Sequence, residues 1–283
     1  MTLFDRTGDL THRTGPLTGG EESRPGAIGF DPMTPTTFDI ELDPSWSSLR
    51  GTHGGYLASL AVRAAERVTD GRSVRTVTTS FLRPGHSGPA ELTIMPERLG
   101  RSLSTHVATI TQDGRGVATS RVTTMVVVDG IEWDAPEPER IAAVPECVPL
   151  DPPEGVRHFA HATAVLDPTH LPFTHGPLAR VAGHVRPLEP RPIDAAWLTM
   201  ILDWFPPSPF SHVDPPTGGV SVDYTVHLHR TLDRLRDGEW LTGAFRADVS
   251  SNSMALEKGV IRDATGHVLA ESFHTRWSAR TIS

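Results

Sequence analysis

Arg75-Thr-Val-Thr-Thr-Ser-Phe-Leu-Arg-Pro84 and Val222-Asp-Tyr-Thr-Val-His-Leu-His-Arg230 open the same plan twice. The first run leads to Ala90-Glu-Leu-Thr-Ile94, then Ser102-Leu-Ser-Thr-His-Val-Ala-Thr-Ile-Thr111, an Asp113-Gly-Arg-Gly turn and Val117-Ala-Thr-Ser-Arg-Val-Thr-Thr124. The second leads to Glu239-Trp-Leu-Thr-Gly243, Ser253-Met-Ala-Leu-Glu-Lys-Gly-Val-Ile261, an Asp263-Ala-Thr-Gly turn and His267-Val-Leu-Ala-Glu-Ser-Phe-His-Thr275. Apolar and β-branched residues alternate with a period of two, and Gly and Asp punctuate the runs, which is the pattern of strands joined by turns. The order of elements matches although residue identity is low. A tandem repeat of one fold is predicted.

Working outward, Thr37-Phe-Asp-Ile-Glu-Leu42 alternates as a half-buried strand, and the segment from Gly54 to Val68 follows as a helix. Its Leu57, Leu60, Ala61, Ala64, Ala65 and Val68 recur at spacings of three and four. The helix is rich in Ala and apolar around most of its circumference, so it is predicted to be wrapped by other structure. In the second half, a strand near Ala179–Arg186 precedes a helix over Ile193–Trp204, stopped by Phe205-Pro-Pro-Ser-Pro209. The fold class is therefore α+β, with one curved antiparallel sheet around one central helix, twice. The expected organisation is a flexible lead-in over 1–35, a first unit over 36–130, a Pro-, His- and Asp-rich connector over 131–178 and a second unit over 179–283.

Composition narrows the function. A net charge of -8 opposes a sequence-independent nucleic-acid binder, which needs a clustered basic surface. No apolar run approaches the roughly 20 residues of a membrane span, and the first 25 residues carry no signal-peptide core, so a cytoplasmic protein without a membrane partner is expected. The single cysteine, Cys147, excludes an internal disulfide and a thiolate metal cluster. His227 and His229 share a strand face without a third ligand at suitable spacing, and His158 and His161 fall in the connector. No metal and no organic cofactor is expected.

Phe81-Leu-Arg-Pro-Gly85, the downstream Arg98-Leu-Gly-Arg-Ser-Leu-Ser104, the paired Asp223-Tyr-Thr-Val-His-Leu-His-Arg230 and Gly266-His-Val-Leu-Ala270 together resemble the bacterial acyl-CoA thioesterase II family, whose fold is a double hotdog. The similarity covers most of residues 35–280. It implies hydrolysis of an acyl-CoA thioester in fatty acid metabolism, at a site built from an Asp on the second helix, a Ser or Thr at the start of the following strand and a Gln on the last strand. Asp203 and Ser221 match the first two positions, Ser221 following Thr217-Gly-Gly, with Thr225 the fallback for the hydroxyl. His274 stands where the family has Gln. A Gln amide only hydrogen-bonds, whereas His also moves a proton near neutral pH.

These residues keep other readings open. Asp203, Ser221 and His274 also compose a nucleophilic triad on paper, although no strained nucleophile turn accompanies Ser221. Asp203 sits in Met200-Ile-Leu-Asp-Trp-Phe, at the helix end unfavourable for an anion. There it either caps backbone or acts as a base whose pKa burial raises. His53, Gly54 and Gly55 open the first helix and either bind a carbonyl or phosphate through backbone amides or let the helix approach the sheet closely. Arg83 and Arg230 end equivalent strands and are candidate contacts for coenzyme A phosphates. An acyl tunnel is expected along Leu57, Leu60, Trp197 and Ile201. The rival functions are a non-catalytic acyl-CoA or acyl-carrier binding protein and a hydrolase of a specialised biosynthetic thioester. Pairing of the two units within the chain is expected, with a homo-oligomer as a further possibility. Hydration or dehydration of a 3-hydroxyacyl thioester would need an Asp and a His on one helix face, which neither helix shows.

Overall fold

A computed structural model describes residues 3–13, 34–69, 71–136, 140–152, 154–212, 220–230, 232 and 235–277. Most of the lead-in and Thr217-Gly-Gly fall outside these. Among the described residues thirteen strands form one sheet. In chain order they are β1 (Thr11–His12), β2 (Thr36–Leu42), β3 (Ser73–Phe81), β4 (Gly88–Leu99), β5 (Leu103–Gln112), β6 (Arg115–Met125), β7 (Val148–Pro149), β8 (Ala162–Leu166), β9 (Ala179–Pro187), β10 (Val220–Leu228), β11 (Leu241–Ser251), β12 (Met254–Arg262) and β13 (Val268–Trp277). The helices are α1 (Leu3–Thr7), α2 (Gly54–Val68) and α3 (Ala195–Ile201).

The strands lie side by side as β1-β2-β4-β5-β6-β3-β10-β13-β12-β11-β9-β8-β7, every pair antiparallel. In each half the strand before the helix sits outermost of five and the strand after it sits at the centre. The two central strands join the halves, with Tyr224 opposite Thr79 and Val226 opposite Val77. Both halves thus belong to one sheet, and the unpaired edge each would otherwise expose is closed by the other.

Alternation decides which side faces the helices. On β2, Phe38, Ile40 and Leu42 are buried, and on β13, Ala270, Ser272 and His274 are buried while Phe273 is exposed. α2 is buried along Gly55–Val62 and again at Ala64 and Ala65, because the sheet covers one side and α3 another. Each fully buried Leu or Val there contributes about 1.5–3 kcal/mol. α3 is shorter than its sequence pattern suggests. Asp194 caps it by accepting from Trp197 N at 2.7 Å, and it ends at Ile201, after which a tighter turn carries Asp203 with its N–H donating to Met200 O at 3.2 Å. The following Pro206 and Pro207 cannot continue a helix.

The described lead-in packs against the body: Phe4 and Leu10 are buried, and Trp46 Nε1 donates to Thr7 Oγ1 at 2.8 Å. Within 131–178, Ala162–Leu166 adds a strand beside β9.

Candidate active site

Close approach of the helices builds the site. A Cβ on Gly55 would lie 2.6 Å from Met200 O, so only glycine lets the start of α2 meet the end of α3. His53 caps α2, its Nδ1 accepting from Tyr56 N at 3.2 Å. That bond places the ring hydrogen on Nε2, which donates to Asp203 O at 2.9 Å and lies 3.5 Å from Oδ2. Burial lowers the His53 pKa, and the ring is neutral.

Asp203 stands at the end of α3, but its carboxylate meets the other helix. Oδ2 accepts from Gly55 N at 2.8 Å, at the electropositive start of α2. Oδ1 lies 3.2 Å from His274 Nδ1 and 3.4 Å from Arg276 Nη2. The unfavourable dipole expected at this position is thereby replaced by a favourable one from a neighbour. Burial alone would raise the Asp203 pKa; the facing His274, His53 and Arg276 and the Gly55 amide outweigh it and hold the carboxyl below its ordinary value. This corrects the expectation of a raised pKa: Asp203 is an anion at neutral pH.

His274 is fully buried on the inner face of β13, its ring 4.9 Å from that of Tyr224. Its Nδ1 lies 3.2 Å from Asp203 Oδ1, and among the described residues neither ring nitrogen has a hydrogen-bond partner. Burial, then the Arg276 charge, pushes its pKa down to about 3. The imidazole is neutral at pH 7 and offers one donor and one acceptor, much as an amide does.

Ser221 is half-buried and stands opposite Arg276 in the register, placing it on the helix-facing side just before an irregularity in β10. No hydrogen bond joins it to Asp203 among the described residues. Thr225 alternates with buried Tyr224 and Val226 and bonds Thr78 Oγ1 at 3.1 Å, facing away from the helices. Gly54 borders the carboxylate, since a Cβ there would lie 3.0 Å from Asp203 Oδ2. Arg83 is exposed and donates to Gly116 O at 3.2 Å. Arg230 pairs with Asp134 and, at 3.4 Å, Glu132, beside a cavity on the outer sheet face. Neither arginine joins the Asp203 cluster. Leu57, Leu60, Trp197 and Ile201 are all buried.

Two charged residues escaped the sequence reading. Arg276 follows His274 by two on β13 and donates through Nε and Nη2 to Glu257 Oε1 at 2.8 and 2.6 Å. Glu257, fully buried on β12, accepts from Ser208 N through its other oxygen. The available signal was a Glu and an Arg at inward positions of alternating strands, where apolar residues are the rule. A 3-10 turn over His158–His161 covers the cluster: His158 stacks on His53 at 4.2 Å and His161 on Trp46 at 3.5 Å. Among the described residues no group of three or more His, Cys, Asp or Glu side chains could hold a metal. No helix among them is long and apolar enough to cross a membrane.

Two helices meeting end to start inside one continuous sheet, with a buried carboxylate at the junction, define a double hotdog protein. The chain belongs to the acyl-CoA thioesterase family: the family's N-terminal domain matches residues 42–128 and its C-terminal domain residues 138–277. That membership supports acyl-CoA thioesterase activity in general terms. Among solved structures, a hot dog fold protein of unknown function from Alicyclobacillus acidocaldarius aligns over 100% of both chains with a TM-score of 0.83 at 18% identity. A protein of Thermobifida fusca YX provisionally named a thioesterase II aligns over 99% of this chain and 98% of its own with a TM-score of 0.79 at 24% identity. The tesB protein of Mycobacterium avium subsp. paratuberculosis aligns over 98% of each chain with a TM-score of 0.71 at 20% identity. These likenesses show the fold. No curated protein sequence matches the chain.

Proposed function

We propose that the protein hydrolyses an acyl-CoA thioester to a free acid and coenzyme A by attack of a water held at Asp203. The observation carrying this reading is a buried carboxylate held at the start of α2 by the Gly55 amide, faced at 3.2 Å by His274, whose ring nitrogens have no hydrogen-bond partner among the described residues. The water would donate to the carboxylate and accept from the ring, Ser221 would complete its orientation, and the Gly54 backbone N–H would polarise the thioester carbonyl, the Gly55 N–H being taken by Asp203 Oδ2. His53 fixes the turn that carries Asp203 through its bond to the Asp203 carbonyl. The acyl chain would run along Leu57, Leu60, Trp197 and Ile201, and Arg83 and Arg230 would meet coenzyme A phosphates outside the buried cluster. We take 36–130 and 179–283 as the two hotdog units, joined by 131–178, and the protein as acting in the cytoplasm in fatty acid metabolism, open to homo-oligomerisation. Direct water attack is preferred to a Ser221 acyl-enzyme because, among the described residues, Ser221 makes no hydrogen bond to a base.

The test is thiol release from acyl-CoAs of short, long and aromatic chains by the purified protein. Turnover of at least one ester that collapses in Asp203→Asn supports the reading. Tight binding of an ester without turnover would replace it with a non-catalytic binding protein.

A further inference from the structure

We propose that Glu257 and Arg276 form a positioning pair that sets how tightly Asp203 holds its proton and where the carboxylate points. The proposal deepens the reading of Asp203 as the water-binding carboxylate and rests on it. Arg276 spans two carboxylates: it gives Nε and Nη2 to Glu257 at 2.8 and 2.6 Å and reaches Asp203 Oδ1 with Nη2 at 3.4 Å. All three side chains are at least nine-tenths buried, so their charges act on one another with little screening by water.

The division is unequal, and that is the useful part. A guanidinium given wholly to Asp203 would make that carboxylate a very weak acceptor of the water's proton. Glu257 takes the closer contacts and is itself fixed by the Ser208 amide, leaving Asp203 the longer one. The carboxylate stays ionised without losing its basicity to a full ion pair. Register supports a built arrangement: Glu257 stands opposite His274 on adjacent strands, and Arg276 is the next inward residue after His274. The other polar and titratable groups facing Asp203 are His53 ahead of α2, His274 on β13, Tyr224 on β10 and, behind His53, His158 of the 3-10 turn. These three histidines and the tyrosine are neutral near pH 7, because burial lowers His53, His158 and His274 and raises Tyr224. Of the side chains that lower the Asp203 pKa, His274, His53 and Arg276, the guanidinium is the one charged at neutral pH, and Glu257 decides how much of that charge Asp203 receives.

The experiment compares wild type, Arg276→Gln, Glu257→Gln and the double variant by two readouts. One is the acid limb of kcat/KM for an acyl-CoA that the wild type turns over. The other is a carboxyl-carbon NMR titration of labelled aspartate, with the Asp203 signal identified by its loss in Asp203→Asn. Arg276→Gln is expected to raise both midpoints by about one pH unit or more, while Glu257→Gln leaves them at or below the wild-type position. Should the single variants fail to fold, the double variant, which keeps the cluster free of an orphaned charge, is expected to titrate above wild type because it loses the 3.4 Å contact. Midpoints unchanged in Arg276→Gln, or raised alike by both single variants, would overturn the proposal. Absence of turnover in the wild type would strike the thioesterase reading instead, and the NMR titration would still decide the role of the pair.

Discussion

Replacing Asp203 by Asn separates a chemical role from a structural one, because the amide keeps nearly every contact and loses the charge. Its oxygen still accepts from Gly55 N, now 2.8 Å from Oδ2, and Arg276 retains Glu257 at 2.6 Å. The lost ion pair spans 3.4 Å, an attraction of about 5 kcal/mol at an effective dielectric near 20. Relief of carboxylate desolvation offsets most of it, and no charge is orphaned. The stability change should therefore stay near 1 kcal/mol, a shift of about 2–4 °C in Tm. Turnover should fall about 10²- to 10⁴-fold, the usual contribution of a positioned base, or about 3–5 kcal/mol in barrier. The loss should lie in kcat, since Asp203 faces the water rather than the acyl chain. Thiol-release kinetics and a thermal melt on the same preparation check both parts. Turnover within threefold of wild type would refute the argument, and so would a collapse of the fold, which would make Asp203 a brace between the helices.

Gly55→Ala should destabilise the protein by about 1–3 kcal/mol and reduce turnover, because its Cβ would sit 2.6 Å from Met200 O and part the helices; a urea titration reads the first effect. His274→Gln should retain turnover within about tenfold, since an amide supplies the same hydrogen bonds as a neutral ring, whereas His274→Leu should lose about a hundredfold; equal loss in both would assign the ring a proton-transfer role. Stability should fall as pH drops below about 6.5, where histidines of the unfolded chain take up protons that buried His161, at about 4, and His274, at about 3, refuse. The lowered Asp203 pKa acts in the same sense below the ordinary carboxyl range, since its contribution is present above the unfolded value and lost as pH falls. Urea midpoints at pH 7, 6, 5 and 4 should therefore descend, and a flat series would contradict the burial of neutral histidines.

The repeat was legible because strand alternation and turn residues are local properties: β3 to β6 and β10 to β13 follow the runs quoted from the sequence. The same alternation placed Ser272 and His274 on one face of β13 and Phe273 on the other, as the burial shows. Asp203 and His274 could be singled out through a resemblance, but their electrostatics could not. The pKa of Asp203 was expected to rise because the sequence shows only an apolar neighbourhood, whereas the groups that lower it come from residues 274, 53, 276 and 55. Local sequence determined the strands, the helices, the doubling of the fold and which face of each strand turns inward. The tertiary structure alone decided that the start of α2 meets the end of α3, that Glu257 shares Arg276 with Asp203 and that His158 covers His53. Contacts between residues some 20 to 150 positions apart depend on how the sheet closes around the helices, and no periodicity along the chain records that.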